Sequence, residues 1–176
     1  KRITNEIKLT IWLARRGAPV PAIWDVDLEE SKIIMERIEG KPLIDVLRSN
    51  EHDEELLISV GKAIRELHRN AVNHGDLSTN NILIDKNRKP VLIDLGLSSR
   101  EYDLEGFGID LHVLHEILRA SHPDVKGAMD LVIQGYQQLD DELGKPQPAP
   151  GGMPPDAKDV LKRLEQIMMR VRYHGG

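Results

Sequence analysis

His74-Gly75-Asp76-Leu77-Ser78-Thr79-Asn80-Asn81-Ile82-Leu83-Ile84, followed by Val91-Leu92-Ile93-Asp94-Leu95-Gly96, is the stretch that decides the fold. Asp76 stands five residues before Asn81, and Asp94 closes a strand-like run thirteen residues after that Asn. A lone Asp-x4-Asn is common and carries little. The full string is specific: His ahead of the Asp, Ile-Leu-Ile behind the Asn, and Ile-Asp-Leu-Gly at this distance. Its residue types suit one chemistry. A loop carboxylate orients an attacking hydroxyl and accepts its proton, while an amide oxygen and a second carboxylate hold magnesium ions on nucleotide phosphates. Asp76, Asn81 and Asp94 fit these roles in that order.

Outward from this stretch the chain reads as alternating short strands and amphipathic helices. Residues 2 to 16 carry Ile3, Ile7, Ile11 and Ala14 at helical spacing and stop at Gly17. Pro19 and Pro21 enforce an extended link. Ala22 to Val26 and Lys32 to Ile38 read as an antiparallel hairpin, and Glu39-Gly40-Lys41-Pro42 as a hinge. A short helix near Leu43 to Leu47 and a long one from Glu54 to Arg69 precede the decisive loop. Two short strands flank Lys86-Asn87-Arg88-Lys89. Asp110 to Ala120 and Asp124 to Leu139 read as helices, residues 144 to 155 as a mobile Pro/Gly loop, and Ala157 to Arg172 as a last amphipathic helix.

Composition narrows the classes. With 176 residues and 40 % hydrophobic content the chain builds one domain or slightly more, although aromatics make up only 3 %. A formal net charge of −5 argues against wholesale non-specific nucleic-acid binding. The absence of cysteine excludes disulfides, thiolate zinc sites and Cys nucleophiles. No apolar run has membrane-spanning length, so a soluble cytoplasmic protein with no membrane partner is expected. The chain opens on Lys1 and reads as N-terminally truncated.

The spacing of the decisive stretch is that of the catalytic and metal loops of the protein-kinase-like fold. In particular the chain resembles the small RIO-like atypical kinase subunit of the KEOPS (EKC) tRNA-modification complex, closer to its archaeal members. Besides the catalytic string, the carriers are Asn5-Glu6, Met35-Glu36-Arg37-Ile38-Glu39-Gly40, Gly108-Ile109-Asp110-Leu111, Ser121-His122-Pro123 and the tail Arg170-Val171-Arg172-Tyr173. The resemblance implies an α+β, protein-kinase-like fold, mainly the helical C-terminal lobe with an incomplete N-terminal lobe. Residues 1–39 would be the N-lobe remnant, a C-helix plus hairpin, and residues 40–176 the C-lobe. It implies ATP and Mg2+ as cofactors, Asp76 as catalytic residue, and Asn81 and Asp94 as metal ligands. Met35, Glu36 and Ile38 would meet the adenine edge, and Glu6 would be the ion-pair Glu of the nucleotide site. It implies a phosphotransferase or ATPase supporting threonylcarbamoyladenosine formation in tRNA. Partners would be the complex's threonylcarbamoyltransferase subunit on the C-lobe, a small subunit on the N-lobe, and tRNA. Arg163, Arg170 and Arg172 in the basic tail are the residues placed to meet RNA or a partner.

Departures from the family pattern matter. The family's preceding strands, with the phosphate-covering loop and the phosphate-pairing Lys, are missing from this sequence, so this chain alone is expected to bind ATP poorly. Gly106-Phe107 stands where the family has a charged pair, and Asp-Leu-Gly replaces Asp-Phe-Gly. Gly75 stands where many regulated kinases carry an Arg for an activation-loop phosphate. His74 reads as a structural hydrogen-bonder, His68 as a helix-surface or packing residue, and Ser98 and Ser99 as exposed loop serines open to self-phosphorylation. Two other readings stand beside the first. One is a small-molecule phosphotransferase of the aminoglycoside or choline kinase type, which shares His-x-Asp-x4-Asn. The other is a non-catalytic binding module.

Overall fold

The computed structural model describes residues 2–175. Helix α1 (Arg2–Arg15) ends at Gly17, whose φ of 74° lets Ala18 turn its N–H back to Leu13 O at 3.1 Å. Its buried side is Ile7, Leu9, Thr10 and Leu13, rotated from the stripe through Ile11 and Ala14 that the spacing favours. The link then runs along the domain, and Pro19 O accepts the Leu92 N–H at 2.7 Å. Strands β1 (Ile23–Asp27) and β2 (Lys32–Met35) form the expected antiparallel hairpin, with an irregularity between Ile23 and Asp25.

The hinge-like tetrapeptide is in fact a strand. β3 (Gly40–Pro42) pairs antiparallel with β5 (Ile82–Asp85), which pairs with β6 (Pro90–Leu92). Helix α2 (Leu43–Arg48) follows at once, and α3 (Glu54–Arg69) forms the centre of the molecule. Asp53 starts α3 by accepting the Leu56 N–H at 2.8 Å. That bond, with Arg88 at 2.9 Å, holds its carboxyl below the usual carboxylate range. Strand β4 (Val72–Asn73) pairs with β7 (Ser99–Arg100), bracketing the decisive loop and a 3-10 turn at Leu95–Leu97.

Helices α4 (Leu104–Ser121), α5 (Ala128–Leu143) and α6 (Ala157–His174) complete the body. Leu56, Leu57, Val60, Ile64 and Leu67 of α3 are buried against Phe107 and Leu111 of α4, Val132 of α5 and Val160 and Leu164 of α6. Each such side chain contributes about 1.5–3 kcal/mol of burial free energy. The α3–α5 crossing is very close: a Cβ on Gly61 would collide with Val132 O, and one on Gly135 with Ile58 O. Only hydrogen at both positions allows the two backbones to meet. Residues 144–155 have no helix or regular strand, yet they are fastened. Tyr102 lays its ring on Gly151 and Gly152 and donates its hydroxyl to Pro150 O. Arg69 donates to Gly144 O and Arg65 to Pro155 O.

Candidate active site

The loop between β4 and β5 is held from inside. Leu77 and Thr79 are buried, and Thr79 O accepts the Ile44 N–H of α2 at 3.0 Å. His74 is also buried and has the structural role expected of it. Its Nε2–H donates to Ile93 O at 2.9 Å while Nδ1 accepts the Asp76 N–H at 3.2 Å, which fixes its tautomer. Gly75 has a φ of 81°, and a Cβ there would strike Leu97 O, so the Arg that many regulated kinases carry at this position does not fit this backbone.

Asp76 and Asn81 are brought together. The Asn81 amide Nδ2 donates to Asp76 O at 2.9 Å and to its Oδ2 at 3.2 Å. With the donor end of the amide engaged, its Oδ1 is the end left to face a cation. Asn81 O accepts the Ile93 N–H at 3.0 Å, so Ile93 is clamped between Asn81 and His74. Asp94, the next residue, is exposed and adopts a left-handed conformation (φ 57°, ψ 67°), which Asp tolerates better than most residues. The string thus joins a loop carboxylate to an amide, and its backbone tie to Ile93 sets Asp94 next along the chain. Among the described residues no group of three or more His, Cys, Asp or Glu forms a metal cage. One amide oxygen and carboxylates are a hard-oxygen set of the kind magnesium takes together with substrate phosphates.

Helix α1, which carries Glu6, packs on the Leu95–Leu97 turn behind Asp94. Asn5 donates to Ser98 O at 2.7 Å, and Trp12 lies between the Arg16 and Arg100 guanidinium groups at 4.4 and 4.2 Å. Met35 ends β2. The Glu36 N–H is used by Ala22 O at 2.7 Å, whereas Glu36 C=O and Ile38 N–H make no hydrogen bond among the described residues. That leaves one acceptor and one donor two residues apart, the pattern an adenine edge matches.

Two readings change. His68 is not on the helix surface: it packs fully buried against Phe107 and also joins the Tyr136 hydroxyl (2.8 Å) to Asp110 Oδ2 (3.0 Å). Ser98 is not an exposed serine. It is 2 % exposed and its hydroxyl donates to His74 O. In the basic tail, Arg163 and Arg170 both pair with Glu105 at the start of α4, whereas Arg172 makes no ion pair among the described residues. The spacing gave Asp110 no role. Its carboxylate, 2 % exposed, accepts the N–H groups of His74 at 2.6 Å and Gly75 at 2.9 Å, so it anchors the backbone that leads into Asp76. The available signal was an Asp inside an otherwise apolar helical face.

A helical body around a backbone-anchored Asp-x4-Asn loop, with an Asp-Leu-Gly turn beside it, defines a protein of the protein-kinase-like fold. The RIO domain family matches residues 2–116. This chain belongs to that family, among its Bud32-type members. It is 32 % identical, over 98 % of its own length and 77 % of the relative's, to a probable serine/threonine-protein kinase BUD32 homolog of Archaeoglobus fulgidus. It is 29 % identical to the KEOPS complex subunit Bud32 of Pyrococcus abyssi, covering 98 % of this chain and 74 % of that one. It is 34 % identical to a probable bifunctional tRNA threonylcarbamoyladenosine biosynthesis protein of Methanosarcina acetivorans, where it spans 98 % of its own length but only 28 % of the relative's. Crystal structures of WbdD share the fold, one with a TM-score of 0.54 at 18 % identity over 80 % of this chain and 36 % of that one. No helix among the described residues is long and apolar enough to cross a membrane.

Proposed function

We propose that this chain carries the phosphoryl-transfer site of a RIO-type atypical serine/threonine kinase or ATPase that serves threonylcarbamoyladenosine formation in tRNA as a KEOPS-type subunit. The observation that carries the chemistry is the Asn81 amide held by Asp76, which turns its oxygen away from the loop carboxylate. In this reading Asp76 orients the attacking hydroxyl, or a water in hydrolysis, and accepts its proton. Asn81 and Asp94 hold Mg2+, which when bound neutralises charge on the ATP phosphates. The Glu36 carbonyl and Ile38 N–H take the adenine edge beside Met35, and Glu6 on α1 takes the ion-pair role of the nucleotide site. Residues 1–39 then act as part of the N-lobe and 40–176 as the C-lobe. Relatives named as KEOPS subunits and as a tRNA threonylcarbamoyladenosine biosynthesis protein support the biological setting. There the C-lobe would meet the threonylcarbamoyltransferase subunit and the N-lobe a small subunit. Of the three tail arginines, Arg172 is best placed to meet RNA phosphate or a partner, since Glu105 already occupies Arg163 and Arg170.

Asp76→Ala tests the reading. ATP turnover by the intact protein should fall by about 10²–10⁴-fold, with the urea midpoint unchanged because Asp76 is exposed. Turnover within twofold of the parent protein removes Asp76 from the mechanism.

A further inference from the structure

The carboxylate of Asp110 that holds the Asp76 loop is joined to a chain of hydrogen-bonded polar groups that starts far from that loop. Asp140, near the end of α5, takes Arg65 Nε at 2.8 Å and Nη2 at 2.9 Å, and also caps α6 by accepting the Ala157 N–H at 2.8 Å. Arg65 Nη1 donates to the Tyr136 oxygen at 3.3 Å. A guanidinium has only donors, so that oxygen accepts, and its own proton is free for His68 Nδ1 at 2.8 Å. With Nδ1 accepting, the imidazole proton must lie on Nε2, where it meets Asp110 Oδ2 at 3.0 Å. Asp110 in turn takes the His74 and Gly75 N–H groups. Every link has a single proton direction, set at one end by a group that cannot accept and at the other by a carboxylate that cannot donate. Arg65, Tyr136 and His68 are completely buried, so water cannot substitute for a missing link.

We propose that Tyr136 is a positioning residue for the Asp76 loop: its hydroxyl, held by Arg65, keeps the His68 ring oriented so that Asp110 retains both backbone N–H groups leading into Asp76. The effect on turnover rests on the phosphoryl-transfer reading above; the effect on the loop does not. Removing the hydroxyl leaves His68 Nδ1 and Arg65 Nη1 facing each other without a mediator. The ring and the Asp110 carboxylate then shift to find other partners, and the loop amides loosen. Neither Tyr136 nor Arg65 touches the loop, so nothing acts on Asp76 directly.

Tyr136→Phe keeps the ring and deletes only the hydroxyl. Hydrogen exchange at the His74 and Gly75 amides should accelerate about tenfold, the effect of weakening one hydrogen bond, while exchange in α3 stays as in the parent. ATP turnover should show kcat lowered by a similar factor with KM for ATP within twofold. Unchanged exchange at His74 and Gly75, or acceleration spread evenly through α3, overturns the proposal and leaves Tyr136 a packing residue. A measurement on the unsubstituted protein guards against a variant that does not fold. The assigned 15N resonances of His68 should show a neutral ring protonated on Nε2, and a proton on Nδ1 overturns the proposal outright. Failure of Asp76→Ala to lower turnover would sink the phosphoryl-transfer reading and leave the exchange result standing; the reverse pattern would sink only the role of Tyr136.

Discussion

On the proposed function, Asn81 has two jobs in one side chain. Its amide nitrogen braces Asp76, and its oxygen is the atom left for a cation. Asn81→Ala should therefore raise the Mg2+ concentration needed for half-maximal turnover on the order of tenfold, as losses in a metal's ligand environment commonly do. A magnesium titration checks this, and an unchanged midpoint would assign Asn81 to bracing alone. At this scale the sequence was most legible where the chemistry is local. Asp76, Asn81 and Asp94 lie within one short stretch, so spacing alone placed them on a common loop and strand end. The bridging role of His68 was not legible because its partners, Asp110 and Tyr136, lie 42 and 68 residues away. A histidine beside the apolar face of a helix looks the same whether it packs or bridges. The pairing of Arg163 and Arg170 with Glu105 was hidden for the same reason, since Glu105 is far away in the chain.

Among the elements, α3 was legible almost to the residue, because a capping Asp precedes two acidic residues and an apolar period of helical length. α4 begins at Leu104 rather than Asp110 because Asp103 caps it through the Glu105 N–H; Gly106 and Gly108 hid that first turn. α5 begins at Ala128 rather than Asp124, since Gly127 at a φ of 72° breaks the backbone just before it. The pairing of β3 with β5 was not legible, because two short strands forty residues apart leave no periodic trace. The α3–α5 crossing gives a test at this level. Gly61→Ala should lower stability by on the order of 1 kcal/mol, since overpacking of this kind costs ~1–3 kcal/mol against a gain of ~1 kcal/mol in helix propensity. Urea unfolding reads the sign directly. A stabilised variant would mean that the two helices have slack between them.

Taken as a whole, the fold holds two buried histidines, His68 and His122, toward the neutral form. Burial pushes His68 below the ordinary imidazole value despite the opposing pull of Asp110. It pushes His122 the same way, helped by Arg48. The unfolded chain therefore binds protons below about pH 6.5 that the folded protein refuses. Stability should be complete above that pH and decline as acid is added, through the interval down to the folded values. Asp140 adds a loss of the same sign at lower pH: burial raises its carboxyl, but Arg65, the Ala157 N–H and Arg69 together bring it below the usual range. Urea midpoints at pH 7.5 and pH 5.5 measure the first loss, and an equal or higher midpoint at the lower pH would contradict it. Composition also misled at this scale. Residues 144–155 have the make-up of a tether but behave as a buckle, with Tyr102 pressed on Gly151-Gly152 and arginine side chains gripping the carbonyls of Gly144 and Pro155. A Pro/Gly stretch is a habitual choice for splicing in an epitope tag or a reporter protein. Here such cargo would not dangle from the surface; it would unfasten α6 and draw Pro155 away from Arg65, so anyone labelling this molecule should attach the label at the β1–β2 turn instead.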